Sequence, residues 1–263
     1  MSTYSDEHKK FLKEKKKEKI IVVFFQFIII IAFLTLWEIA AHYNLINTFL
    51  SSSPSKVINT FISLLKQNNL RNHVLVTTYE TLYSFFVASI IGFIFASILW
   101  WFPKFAKIMD PYLTVINSLP KVALGPLIII WVGANTNSII FMALMISVFI
   151  TIINMYNGFE STDKYYITLL KTLHAKKYQI FKKLIVPSNK IVLINCLKIN
   201  ISMSLIGVIM GELLVSKEGL GYLIMYGSQV FNINLVITSV VLLSILSYIM
   251  YYVIYTIEKK MRK

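Results

Sequence analysis

Cysteine is nearly absent from this chain: Cys196 stands alone among 263 residues. No internal disulfide and no cysteine-based metal set can form. The four histidines, His8, His42, His73 and His174, are scattered. They show no H-E-x-x-H and no clustered spacing, so no zinc-type ligand set is expected. Charge is also scarce. Only 14% of residues are charged, where a soluble domain has about 25%. No G-x-x-x-x-G-K-[ST] occurs, which excludes that kind of phosphate-cradling loop. Gly219-Leu220-Gly221 begins a G-x-G, but Ile224 stands where a third glycine belongs and no strand precedes it. It reads as a turn. A G-x-S-x-G elbow is missing too. No cofactor, metal or catalytic residue is expected, and the chain reads as non-enzymatic.

What is present is apolar length. The composition is 57% hydrophobic. The runs are Ile20–Ala41, Leu82–Trp101, Leu113–Val132, Ile139–Tyr156, Val192–Val215 and Leu235–Ile257. Each suffices to cross about 30 Å of hydrocarbon at about 1.5 Å per residue. Backbone polar groups must pair internally in lipid, so these runs should be helices. The expected fold is an all-α membrane protein with six transmembrane helices. The first run exceeds a secretory h-region of roughly 7–15 residues and reads as an uncleaved span.

The basic residues orient the spans. Net charge is +14, from 26 basic against 12 acidic residues. With the N-terminus inside, segments 1–19, 102–110, 158–190 and 258–263 hold 20 basic residues. The outer segments hold four: Lys56, Lys66, Arg71 and Lys217. This asymmetry predicts an N-in, C-in topology. It also accounts for the charge without nucleic acid. The organisation then reads as a basic tail at 1–19, a first span at 20–41 and an extracytoplasmic segment at 42–72. A core at 73–257 and a tail at 258–263 follow. Within the outer segment, Ser51 to Ser55 reads as a turn and helix start, with Val57, Phe61 and Leu64-Leu65 at helical spacing.

The loop at 158–190 is the most informative stretch. Lys171, Lys176, Lys177, Lys182 and Lys183 interleave with Leu169, Leu170, Leu173, Tyr178, Ile180, Phe181 and Leu184. Asp163 can start a helix and Pro187 is expected to end the run, with a bend near His174-Ala175. Helices this polar do not belong in lipid, yet they carry too much apolar surface for a solvated linker. Two recipients fit: a partner protein below the membrane or the lipid surface.

Here the sequence resembles a family. Thr168-Leu169-Leu170-Lys171-Thr172-Leu173-His174-Ala175, running on to Val186-Pro187, resembles the "EAA" loop of binding-protein-dependent ABC importer permeases. Thr168, Leu169 and Leu170 stand where Glu-Ala-Ala would be, and His174 replaces the glycine. Asn117 to Leu127 with Trp131-Val132-Gly133 is similar to the third core helix of the nitrate/sulfonate/taurine-type permeases. Gly211-Glu212-Leu213-Leu214 and Glu218 to Ile224 resemble their outer loop, and Ser53 to Val57 fits their N-terminal region. The resemblance implies a five-helix type I permease core plus an N-terminal helix. It implies a homodimeric pore in a bacterial cytoplasmic membrane, bound to two cytoplasmic ABC ATPase subunits. An extracytoplasmic substrate-binding protein would deliver a small solute. ATPase coupling would fall on Thr168, Leu169, Leu170, Leu173, His174, Ala175, Tyr178, Phe181 and Pro187.

Polar groups inside the spans are the candidates for a translocation pathway. Lys121 lies near the middle of the third run, between Pro120 and Pro126, where a broken helix facing a cavity is plausible. Ser118, Lys121 and Gly125 are expected along the pathway; the alternative pairs Lys121 with a buried carboxylate or carbonyl. Asn200, Ser204 and Glu212 are further candidates, with helix packing as the alternative for the first two and interfacial exposure for Glu212. Lys198 reads as snorkelling, and Glu38 and Glu80 as exposed at span ends. A stand-alone secondary transporter or channel would predict an internal hydropathy repeat, which is not evident. An intramembrane enzyme would need convergent catalytic groups, and none stand out.

Overall fold

The computed structural model describes residues 6–67 and 70–261. The described residues are helical with connecting turns and contain no strand. The chain divides into an N-terminal unit, residues 1–63, and a second unit, residues 64–263.

The N-terminal unit is built on α1 (Asp6–His42). Its apolar stretch buries almost nothing: Ile29 is 66% exposed and Phe33 64%. A helix that is apolar on all sides and uncovered by protein is suited to lipid. After His42 the chain turns through Asn44 and reaches α2 (Pro54–Lys66). Pro54 opens α2, where its missing N–H is no loss. The Glu38 carboxylate accepts from Ser55 N at 3.0 Å and from Ser55 Oγ at 2.6 Å. Glu38 is therefore a staple between α1 and α2, which corrects the reading of it as simply exposed.

The second unit centres on α3 (Leu70–Trp101), which packs against the later helices of the core. Next come α4 (Pro103–Ser118), a short 3-10 turn at Lys121–Leu124, and α5 (Gly125–Val132). α6 (Thr136–Glu160) then returns along α3. The loop holds α7 (Lys164–Thr172) and α8 (Lys177–Ile180). The chain closes with α9 (Lys190–Val215), α10 (Leu220–Gln229) and α11 (Ile233–Met261).

The centre of this unit is the trio α3, α6 and α9. Lipid supplies no hydrophobic drive between helices, so close van der Waals approach must hold them. Small residues permit that approach. Gly92 of α3 faces Thr151 of α6; Gly207 and Gly211 of α9 face Ala143 and Ile139 of α6. A Cβ on Gly211 would stand 2.8 Å from the Ile139 Cα. Phe85, Ile194, Ile201, Met250 and Ile254 form the cluster that seats α11.

Among the described residues five helices are long and apolar enough to cross a membrane: residues Lys10–His42, Leu70–Trp101, Thr136–Glu160, Lys190–Val215 and Ile233–Lys260. The sixth crossing expected at Leu113–Val132 is not one helix. It is a pair bent by 79° at Leu119-Pro120, and counting the pair as one span gives six. Pro120 and Pro126 lack the N–H groups that a continuous helix needs there. α4 also begins at Pro103, inside the segment read from sequence as a loop at 102–110. It is seated by Ala106 and Leu113 against Leu99 and Ile152.

Candidate functional site

At one end of the bundle the loop folds as two helical pieces joined at a sharp bend. Asp163 Oδ1 accepts from Tyr165 N at 2.8 Å and starts α7, satisfying a donor that no intrahelical carbonyl can reach. α7 stops at Leu173 and His174. His174 adopts φ +55°, and Ala175 N closes back onto Leu170 O at 2.9 Å. This is a left-handed helix terminus, where glycine is the usual residue. A residue with a Cβ costs roughly 1–2 kcal/mol there. His174→Gly is therefore expected to stabilise the loop by about 1 kcal/mol, raising the thermal midpoint by about 2–4 °C. An unchanged or lowered midpoint would mean that the imidazole makes an offsetting contact.

Past the bend, Gln179 Oε1 accepts from Lys176 N at 2.7 Å and starts α8. The chain then widens into a π-turn at Phe181–Ile185 and continues helical through Val186–Ser188. The expectation that Pro187 ends the helical run is thus corrected. A π-turn shifts the carbonyl register, and the chain passes Pro187 without stopping. Asn189, 4% exposed, pins the next kink by donating to Ile185 O at 2.9 Å and Thr162 Oγ1 at 2.7 Å.

The loop has two faces. Leu170, Ala175 and Phe181 point into a cluster with Trp100, Met155, Phe159 and Cys196. The Phe181 ring centroid lies 5.0 Å from that of Trp100 and 5.5 Å from that of Phe159. Lys177 locks the seam. Its Nζ donates to Trp101 O at 2.5 Å and lies 5.5 Å from the Trp100 ring centroid. On the other face Leu169, Leu173 and Tyr178 are 45%, 69% and 59% exposed. Thr168, His174 and Pro187 are exposed as well. The residues expected to couple therefore divide into three that anchor the loop and six that it presents outward.

At the broken segment, Lys121 is half-buried. Its Nζ donates to Asn117 O at 2.8 Å and Asn117 Oδ1 at 3.2 Å. A cation here meets the unpaired carbonyls at the end of α4. Ser118 Oγ donates to Val115 O at 2.8 Å and is exposed at the same break. Gly125 is buried, and a Cβ on it would lie 2.6 Å from Leu214 Cδ1 of α9. The bend thus brings Ser118 and Lys121 to the break and packs Gly125 beneath α9.

Inside the bundle, Asn200 and Ser204 are fully buried. Asn200 Nδ2 donates to Ser89 Oγ at 2.7 Å and Phe85 O at 3.2 Å, and Ser204 Oγ donates to Asn200 Oδ1 at 3.3 Å. Both join α9 to α3. Lys198 does not simply snorkel: it is ion-paired with Glu258 of α11 and lies 5.4 Å from the Tyr255 ring centroid.

Glu212 and Glu80 are 1% and 2% exposed, which corrects the reading of Glu80 as exposed and removes interfacial exposure as the alternative for Glu212. They meet at the opposite end of α3 from Trp100. Glu212 Oε1 accepts from Thr77 Oγ1 at 2.6 Å, and Oε2 accepts from Gly221 N at 2.6 Å. The Glu80 carboxyl hydrogen-bonds the Glu212 carboxyl. Thr77 Oγ1 accepts from Leu220 N at 2.8 Å, and His73 Nδ1 from Gly219 N at 3.0 Å. Sequence reasoning missed His73, Thr77 and Glu80 as a set. Their spacing of three and four along a helix was the available signal. A cavity of about 550 Å³ opens beside them, lined by Tyr79, Glu80, Thr136, Lys217 and Glu218 among others.

The chain has relatives of known class. The family described as "Binding-protein-dependent transport system inner membrane component" matches residues 88–263. The formylaminopyrimidine transport permease ThiX of Halalkalibacterium halodurans is 27% identical, covering 72% of this chain and 75% of that protein. The putative aliphatic sulfonates transport permease SsuC of Bacillus subtilis is 21% identical, covering 88% and 83%. A probable ABC transporter permease of Haemophilus influenzae is 26% identical, covering 86% and 91%. In fold, a chain of the MetNI methionine ABC transporter in an inward-facing conformation aligns with a TM-score of 0.61 and 19% identity. It covers 72% of this chain and 95% of that one. By these matches the chain belongs to the family of binding-protein-dependent transport system inner membrane components and is an ABC transporter permease.

Proposed function

We propose that the chain is the transmembrane subunit of an ATP-driven importer, forming the pathway for a small solute and coupled through the 158–190 loop to a separate ATPase. One observation carries the coupling: Leu169, Leu173 and Tyr178 lie exposed on a loop whose opposite face is fixed into the bundle. A helix presenting apolar anchors at i and i+4 suits a groove in a partner protein. The chain acts in this reading as a homodimer in a bacterial cytoplasmic membrane, N-in and C-in, with two ATPase subunits and an extracytoplasmic substrate-binding protein. The lysine asymmetry supports the orientation. Aliphatic sulfonates and formylaminopyrimidine-like heterocycles fit the names its relatives carry, and nitrate- or taurine-like solutes fit the sequence resemblance. Ser118 and Lys121, at the break, are the proposed pathway groups. Gly125, Asn200, Ser204 and Glu212 support it from within the packing. Catalysis belongs to the ATPase subunit. A stand-alone transporter or channel is not favoured.

The test is co-purification of the chain with a cytoplasmic ABC ATPase from its own source. ATP hydrolysis in the complex should rise when a solute-loaded binding protein is added. A permease that purifies without an ATPase and still takes up solute along a gradient would overturn the reading.

A further inference from the structure

The carboxyl pair at the far end of α3 has an arrangement that simple packing does not demand. Each oxygen of Glu212 already receives a protein donor, from Thr77 and from Gly221. Glu80 supplies a third hydrogen bond. Two ionised carboxylates have no hydrogen to share, because both are acceptors only. A bond between them therefore contains one proton. The independent donors say where it sits: Glu212, which receives Thr77 Oγ1 and Gly221 N, is the anion, and Glu80 is the acid. Glu80 Oε2 is buried and receives no protein donor among the described residues.

Charged and titratable groups face the pair from each element packed against it. α3 contributes His73, whose Nδ1 accepts from Gly219 N, and Tyr79 on the cavity wall. The segment before α10 contributes Lys217 and Glu218, also on the wall. α10 contributes Tyr222, stacked on His73 with ring centroids 5.9 Å apart. α6 contributes Thr136. The cavity beside Glu80 gives the proton a route in and out.

The pair also holds a turn. Gly219 has φ +103°, and a Cβ there would collide with the Glu212 carboxyl. The turn is wrapped around that carboxyl. The amides of Gly219, Leu220 and Gly221 end on His73, Thr77 and Glu212 in order. We propose that Glu80 and Glu212 form a proton-binding site, and that one bound proton holds the Gly219–Gly221 turn, and with it the start of α10, against α3. Removing the proton leaves two adjacent buried anions, which must separate. Glu212 can then leave Thr77 and Gly221, and the turn loosens. The proposal does not depend on which solute or ATPase the permease serves.

The test uses the full chain, with its ATPase if they co-purify, in nanodiscs. Infrared spectroscopy of the wild type at neutral pH should show the carbonyl stretch of a protonated carboxylic acid. Glu80→Gln should abolish that band, because an amide donates the same bond without titrating. Hydrogen exchange at 219–221 should then separate the two proteins. In the range where the band disappears, wild-type exchange should gain about tenfold per pH unit over Glu80→Gln, as linkage to one proton requires. A wild type without the band would overturn the proposal. So would a band of equal strength in Glu80→Gln, or the same pH dependence of exchange in both. If Glu80→Gln does not accumulate, the wild type alone decides. Band and protection must then vanish over one pH range, and loss of either without the other refutes the link.

Discussion

Leu173→Glu combined with Leu169→Glu is expected to reduce ATP-driven uptake to background while the permease still accumulates in the membrane. The two leucines sit four residues apart, Leu169 in α7 and Leu173 at its C-cap, where Leu173 N still closes onto Leu169 O. Both are exposed and outside the clusters that anchor the loop, so the fold does not need them. In a partner's groove each buried leucine is worth about 1.5–3 kcal/mol, and a glutamate there adds the cost of burying a charge. Even the lower figure, taken twice, is about 3 kcal/mol, more than a hundredfold in affinity. The measurement pairs uptake with ATPase co-purification. Leu170→Glu serves as the contrast: Leu170 faces the Trp100–Phe159 cluster, so its variant should lower the amount of folded permease instead. Normal co-purification of the Leu169/Leu173 double variant would show that the partner binds elsewhere.

Gly207→Leu is expected to be the most destabilising single change in the bundle. The Cβ of any residue at 207 falls on the backbone of Ala143, which cannot rotate away. Overpacking a core costs typically 1–3 kcal/mol. A collision with backbone at the α6–α9 seam belongs at the upper end, about 3 kcal/mol, or a fall of about 6–12 °C in midpoint. Gly207→Ala should fall between the two. Thermal unfolding in detergent reads this directly, and an unshifted midpoint for Gly207→Leu would show that the helices can part without loss.

The seam also shows what was hard to read from sequence. The apolar runs announced the long helices, because a continuous run of that length has few other uses. The loop was legible for a related reason: Asp163, the lysine–leucine interleaving and the His174-Ala175 bend are local signals, and local signals survive into the fold. Gly207 and Gly211 carry a G-x-x-x-G spacing that marks close helix contact, yet spacing alone does not name the partner helix. Glu80 was read as exposed, and its meeting with Glu212 was missed, because the two residues are 132 positions apart. A carboxylate near the end of an apolar run is ordinarily wet, and only the fold brings Thr77 and the Gly219–Gly221 amides around it. The break in the third span was legible from its prolines, where hydropathy alone gave one continuous run. Hydropathy counts apolar atoms and is blind to the amide hydrogens that Pro120 and Pro126 lack.

The π-turn at Phe181–Ile185 has a mechanical side. Because it carries the helix past Pro187, and Asn189 clamps the kink that follows, Lys177 to Val215 forms a nearly unbroken helical rod. Beyond the kink, the 26 residues of α9 extend about 39 Å at about 1.5 Å per residue. Tyr178 stands at one end of the rod and Glu212 close to the other. A rod pinned at its only bend has little slack in which to lose a displacement. Under the proposed coupling, a push on the exposed loop would reach the carboxyl pair through this clamped kink and α9.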